Sequence, residues 1–394
     1  MRLLRSAAVA ALLLGPVTLP AGLVAQSSIF GVRGLGLPGR PLTPRVRATG
    51  GSFGLFDGES DVNPAAMANL KAVTAGFVIT PTWRTWEAPV GTASLRDTRV
   101  PLMFVGGPRP GSRLALGVSL GSYADRDFRL ASVDSVNVRS GDPKVGVHDT
   151  LSSLGGLSEI RLAAGYRVST RTALGAAVYW ITGSSRISAH RTFSDTTFLP
   201  LIQSAELSYA GVGVSLGVTH QLTQDILIGA VARSDTRVSI ERDSTKVYKV
   251  DLPYTFSAGA EVRASKRLAI AVAGSYRTWS SASDQLIAQG GVGSRNTLEL
   301  SVGGELVRNS RRPALLPFRW GARYADLPFP VVMGQKPKEF SLSAGTGTRF
   351  AADRAGIDLS IEHAWRSEGS PYKERAFSIV FGLSIRPYGE ARQQ

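Results

Sequence analysis

No cysteine occurs in the 394 residues. Disulfides, thiolate metal sites and a cysteine nucleophile are therefore excluded. Histidine is scarce as well: the four, His148, His190, His220 and His363, lie far apart, without the spacing of a metal site. No Ser/His/acid arrangement stands out among the many serines. Neither Gly34-Leu35-Gly36 nor Gly303-Gly304 is followed by the Gly-Lys-Ser of a phosphate loop. No catalytic centre, metal or cofactor is expected. Past the N-terminus there is also no apolar run of the ~18 residues that a membrane helix needs, which excludes a helical membrane protein. Charged residues make up only 19% of the chain, against 43 glycines, a composition too apolar for disorder.

Residues 1–25 read as an export signal. Arg2 and Arg5 supply the positive start, 7–14 a short apolar run, and Ala21 or Ala25 a small residue for cleavage. An exported chain without disulfides must draw its stability from a large core or from a closed ring of hydrogen bonds. The net charge of +15 and pI near 10.4 would suit nucleic acid, but export argues against that partner. An anionic membrane surface or anionic ligands account for the charge more simply.

From residue 72 onwards, period-2 alternation takes over. Leu114, Leu116, Val118 and Leu120 alternate with Ala115, Gly117, Ser119 and Gly121, and the pattern recurs around Leu268, Leu298 and Phe377. Alternation alone does not say which face is inside. Fourteen strands are expected: 72–86, 99–106, 113–123, 156–168, 172–184, 204–221, 225–238, 252–263, 267–280, 296–308, 314–327, 338–350, 356–366 and 375–386. Most exceed the roughly 9–11 residues that a tilted strand needs to cross a bilayer. Short turns (107–112, 169–171, 222–224, 264–266, 309–313, 351–355) alternate with longer loops (87–98, 124–155, 185–203, 239–251, 281–295, 328–337, 367–374), as in an outer-membrane barrel with periplasmic turns and extracellular loops. Both chain ends would then lie on the turn side. Trp83, Trp86, Trp180, Trp279 and Trp365 fall near loop-side strand ends, where an aromatic girdle belongs, whereas Trp320 does not.

Residues 26–44, rich in Gly and Pro, read as an irregular tether. The stretch 50–70 belongs to neither the tether nor the strands: it is Gly-rich, turns through Asp57-Gly58, and starts a short helix with Asn63 as N-cap and Pro64 at the first position. Arg47 to Phe53, Asp57-Gly58-Glu59-Ser60 and Asn63-Pro64-Ala65, with the strand count, resemble the outer-membrane long-chain fatty acid transporter (FadL-like) family. Ala66 stands where that family usually has glycine. The resemblance implies an all-β transmembrane antiparallel barrel of fourteen strands, with an N-terminal hatch in the lumen. It divides the chain into signal peptide 1–25, tether and hatch 26–71, barrel 72–386 and tail 387–394. Gly50, Gly51, Asp57, Glu59, Asn63 and Pro64 become the hatch and gating candidates.

Inward phase is expected for Glu159, Arg161, Glu261, Arg277, Glu299, Glu305, Arg323, Asp358 and Glu362, since charges facing lipid are costly at mid-depth. Their main expected role is an ion-pair ladder between hatch and wall, and the alternative is a direct role towards the substrate. Gly303 shares the inward phase, where a small residue suits a crowded lumen. Arg233 is left out, because Leu227 and Val231 share its phase. Pro81, Pro101 and Pro317 are candidate breaks in the wall ladder, although the favoured expectation is that each marks a strand end.

The expected function is passive outer-membrane transport of a hydrophobic small molecule such as a long-chain fatty acid, gated by the hatch, in a Gram-negative-type bacterium. The cargo would either pass the hatch or leave sideways through the wall. The alternative is a non-transporting barrel that scaffolds secretion through a protein partner at its long loops. The expected partners are thus the ligand, outer-membrane lipid and, in the second case, a secretion-complex protein.

Overall fold

The computed structural model describes residues 28–88, 91–137, 144–243, 245–288, 290–308, 314–369 and 372–387. The expected signal 1–25 and most of the tail lie outside the described residues. Eighteen strands join in one sheet: β1 Leu37–Pro38, β2 Thr74–Ala88, β3 Gly91–Pro108, β4 Leu114–Asp125, β5 Phe128–Val136, β6 Val145–Arg167, β7 Thr172–Phe193, β8 Leu201–Gln221, β9 Ile226–Asp235, β10 Arg237–Arg242, β11 Thr245–Asp251, β12 Tyr254–Arg263, β13 Leu268–Arg277, β14 Thr297–Leu306, β15 Phe318–Asp326, β16 Lys338–Phe350, β17 Ala355–Ser367 and β18 Lys373–Ile385.

Fourteen of them close a ring of antiparallel neighbours, shut by β18 pairing with β2 from Ile385↔Ala75 to Lys373↔Glu87. Of the other four, β1, β5 and β10 pair onto ring strands at the loop end, and β11 pairs onto β10. Closure leaves no open edge and satisfies the backbone from strand to strand. The alternation resolves in one sense. Leu116 and Val118 are 51% and 44% exposed on the outer face, while Ala115 and Ser119 on either side of them are 2% and 6% exposed. Large apolar residues outside and small or polar ones inside define a transmembrane β-barrel.

All fourteen expected strands coincide with ring strands. Their upper ends differ: β3 begins at Gly91, and β6, β7 and β8 run for 23, 22 and 21 residues. Most of the expected loop 87–98, and parts of 124–155, 185–203 and 239–251, are therefore strand. Beyond the bilayer both faces meet water or each other, so the apolar alternation that marks a strand fades while the pairing continues. The tryptophans also differ. Trp83, Trp180, Trp365 and Trp320 lie exposed on the outer face, whereas Trp86 and Trp279 are 0% and 2% exposed, inside apolar clusters at the loop end.

Residues 28–72 run down the lumen. Ile29 and Phe30 pack with Trp86, Phe128, Leu327 and Val331 among the loops, so 28–43 is filling rather than tether, and the first described residue lies at the loop end. The chain then passes Tyr123, whose carbonyl accepts from Gly39 N at 2.8 Å. Helix Pro44–Ala48, with Thr43 as N-cap, packs against β15–β18, and the 3-10 turn Ser52–Leu55 against β9 and β12–β14. The helix expected after Asn63 is a 3-10 helix, Pro64–Asn69, against β3, β4 and β6–β8. Asn63 Oδ1 accepts from Ala65 N at 3.0 Å, and Pro64 takes the first position, where no N–H is needed.

Candidate functional site

The lumen segment fits the wall backbone to backbone. A Cβ at Gly175 or Gly217 would overlap Ala65 or Asn63, and one at Gly303 or Gly321 would overlap Thr49. These glycines face inward on four different strands, where the segment leaves no room for a side chain. Gly50 and Gly51 have φ of +69° and +104°, which lets the chain turn back beneath helix Pro44–Ala48. Gly50 N donates to Ser343 Oγ at 3.1 Å. Asn63 Nδ2 donates to Leu55 O at 2.9 Å and to Val218 O at 3.2 Å, tying the segment to itself and to β8.

Ion pairs supplement this fit. Arg40 and Arg47 reach Glu362 at 2.9 and 3.1 Å, and Arg45 reaches Glu305 at 3.0 Å. Arg161 donates to Asp61 at 2.9 Å, and Arg386 to Glu59 at 3.2 Å. Asp57 stays within the segment, accepting from Thr43 and Ser60 at 2.7 and 2.8 Å. Within the wall, Arg319 joins Glu305 and Asp358 at 2.7 and 2.6 Å, and Arg323 joins Glu299 at 2.9 Å and also Glu339. Glu261 lies 4.0 Å from Arg263. All nine expected inward charges are thus in the lumen. Burial pushes the Glu59 and Asp61 carboxyls above the usual carboxylate range, against the pull of their arginines. Those contacts cost desolvation, so the fit of the chain holds them as much as charge does.

Above the segment lies a cavity of about 140 Å³. Its floor is Arg40, Leu42, Leu55 and Val62, and its wall includes Tyr123, Glu159, Val231, Arg233, Asp235, Arg277 and Glu299. Tyr123 reaches it through a bulge in β4, where the register shifts between Ser122 and Ala124. Arg233, absent from the sequence-based set, is its hub. It donates to Glu159 at 2.6 Å and to Asp235 at 2.7 Å, and its guanidinium lies over the Tyr179 ring. Leu227 and Val231 do share its inward phase, but they point inward because the lumen segment gives them Leu42, Phe53 and Leu55 to pack on. Arg277 faces the same cavity, and its side chain has no ion-pair or hydrogen-bond partner among the described residues. Arg319, Glu339, Arg366 and Glu374 are further inward charges that the phase reading missed.

A second, small cavity of about 10 Å³ lies between Glu59, Asp61 and Met67 of the segment and Phe104, Gly106 and Gly117 of the wall. Asp61 borders both cavities. Phe104 also packs on the buried Val78, Leu102 and Val380. These lie behind an irregular part of the wall. The β2–β18 pairing is interrupted between Thr82↔Ser378 and Ile79↔Phe381, and the β2–β3 register shifts between Val78 and Thr80. Pro81 and Pro101 sit at these breaks, each without an N–H to donate. Pro317 only precedes β15.

No protein-family model matches the chain, and no curated protein does. Solved structures do. A FadL homologue from Pseudomonas aeruginosa superposes with a TM-score of 0.59 at 14% identity, covering 89% of this chain and 100% of that one. The Ralstonia pickettii toluene transporter TbuX gives 0.58 at 14% identity, covering 89% and 99%. The monoaromatic hydrocarbon channel CymD gives 0.56 at 17% identity, covering 89% and 98%. In fold, therefore, this chain is similar to the FadL-type hydrocarbon transporters, at identities that carry architecture and leave cargo to be argued from its own residues.

Proposed function

We propose that the chain is a passive channel for hydrophobic small molecules in the outer membrane of a Gram-negative-type bacterium, with the described part of its N-terminal tether and hatch, 28–71, inside the barrel 72–386. The observation that carries this reading is a closed transmembrane barrel that holds its own N-terminal segment in the lumen, with a cavity of about 140 Å³ on the loop side. An open porin would leave a water-filled passage. The neighbours in fold, a toluene transporter and a monoaromatic hydrocarbon channel among them, support the same class of cargo.

Size narrows the cargo. By volume alone, a cavity of this size suits a single ring or the head of a longer chain, since roughly 150 Å³ accepts benzene where the lining is apolar. The unpaired Arg277, with Arg40 and Arg233 nearby, favours a ring or chain that carries an acidic edge, a fatty acid included. The cargo enters among the loops, rests in the cavity, passes the Asp61–Arg161 contact and leaves sideways behind Phe104 at the Pro81–Pro101 breaks. The gate is the turn 57–63, where Asp61 borders both cavities and leaves one carboxylate oxygen without a hydrogen-bond partner among the described residues. Deleting 50–70 from the refolded barrel tests the gating: ion conductance should rise, and unchanged conductance would overturn it. Ligand retained in the detergent-purified protein tests the cargo class.

A further inference from the structure

The sequence's excess of positive charge collects at one end of the barrel. Arg109, Arg171, Lys266, Arg267, Arg308 and Arg354 occupy five of the six turns at the short-turn end, all exposed. Their side chains have no hydrogen-bond or ion-pair partner among the described residues. The only exposed acids among the described residues of these turns are Asp225 and Asp353. The loop end is different: there acids stand among the exposed cations, and some pair with them, as Arg191 with Asp149 at 2.6 Å and Arg237 with Asp251 at 2.5 Å.

A second observation gives the collar its level. Within a few residues of these cations the strands turn large apolar or aromatic side chains outward: Tyr166, Leu174, Val262, Leu306, Phe318 and Phe350 are exposed on the outer face. That row is the lower edge of the lipid-facing band, and the cations stand just beyond it, where headgroups lie. A site for a soluble polyanion would have no reason to run around the whole rim beside a lipid-facing edge.

We infer that the turn-end rim is a cationic collar that binds the phosphates of anionic lipid headgroups in the leaflet at that end. The collar fixes the depth of the barrel and draws anionic lipid around it. A guanidinium meets a phosphate with two parallel N–H donors, and each cation beside an anionic surface favours binding by about fivefold, falling off within a Debye length. The inference rests on the barrel fold and not on the transport reading, so either can fail alone.

The test reconstitutes the full mature chain in nanodiscs of mixed phosphatidylcholine and phosphatidylglycerol and counts retained lipids by native mass spectrometry. The wild type should retain phosphatidylglycerol over phosphatidylcholine by about tenfold at low salt. The sextuple variant R109Q/R171Q/K266Q/R267Q/R308Q/R354Q should lose that preference. A loop-end control, R186Q/R237Q/K246Q, should keep it. An unchanged preference in the sextuple variant, or its equal loss in the control, overturns the inference. Millimolar inorganic phosphate should not displace the lipid; displacement would make the rim a site for free anions and sink the lipid reading. Should the sextuple variant fail to regain the heat-resistant compact barrel on gels, salt decides on the wild type: a preference that persists at molar salt overturns the collar.

Discussion

The guanidinium of Arg233 lies 3.8 Å from the centre of the Tyr179 ring, while it donates to Glu159 at 2.6 Å and to Asp235 at 2.7 Å. One cation thus balances two carboxylates whose side chains are 3% and 2% exposed. Replacing it with methionine, Arg233→Met, keeps the length and removes the charge, leaving two buried acids without a counter-charge and Asp235 with only the Tyr123 hydroxyl, at 3.2 Å. The expected loss of stability is about 3 kcal/mol or more, measured by urea unfolding in lipid vesicles. A loss under about 1 kcal/mol would mean that water reaches the pair and that the hub is exposed.

Arg233 also shows where the sequence stopped being legible. Period 2 located all fourteen ring strands, and Asn63-Pro64 marked the turn into the last helix of the lumen segment. Phase, however, sorts residues by face, and an apolar inward residue reads as lipid-facing unless something inside packs on it. Leu227 and Val231 point inward because Leu42, Phe53 and Leu55 wait for them, a contact between parts of the chain far apart in sequence. The same limit hid Trp86 and Trp279, which looked like girdle residues and are buried beneath the loops. The inward glycines were half legible: Gly303 had the right phase, but only the path of Thr49 explains why no side chain fits there.

Gly303→Leu should therefore unseat the lumen segment rather than the wall. Backbone of Thr49 occupies the space that the new side chain requires. The expected cost is about 1–3 kcal/mol, with increased protease cleavage within 44–55 and an unchanged β signal by circular dichroism. Protection as in the wild type would argue against a close fit.

The outer face can be tested one residue away. Leu300 is half exposed and points to lipid, while Ser301 lines the cavity. Leu300→Arg is expected to cost about 2–4 kcal/mol in a bilayer, and Ser301→Asn less than about 1 kcal/mol. Reversal of that order in vesicle unfolding would invert the assignment of the two faces.

Arg277 separates the cargo readings. It faces the cavity without an ion-pair partner, so Arg277→Gln should weaken passage of a one-ring carboxylate several-fold and leave that of the neutral ring unchanged. Liposome uptake of the two labelled compounds makes the comparison. Equal losses for both would assign Arg277 to the architecture of the cavity and not to choice of cargo.

The contact between Asp61 and Arg161 lies on the proposed route: Asp61 borders both cavities, and Arg161 lines the second. Ser119 Oγ also donates to Asp61 Oδ1, at 2.5 Å, while the other oxygen, Oδ2, has no hydrogen-bond partner among the described residues. A carboxylate that is buried, half satisfied and pushed towards its neutral form is a contact that a small shift of the turn 57–63 can break. Asp61→Asn leaves Arg161 buried without its counter-charge and should cost about 3–5 kcal/mol. Asp61→Asn with Arg161→Met removes both charges and should recover most of that loss, since a pair replaced by neutral groups of similar size is often nearly neutral. If the contact also gates, the double variant, stable but unlatched, should pass hydrophobic cargo faster than the wild type while its ion conductance stays low, because the glycine-seated part of the segment still fills the lumen. Faster cargo with low conductance supports a local gate at this turn. A simultaneous rise in both would instead mean that the whole segment has left the barrel.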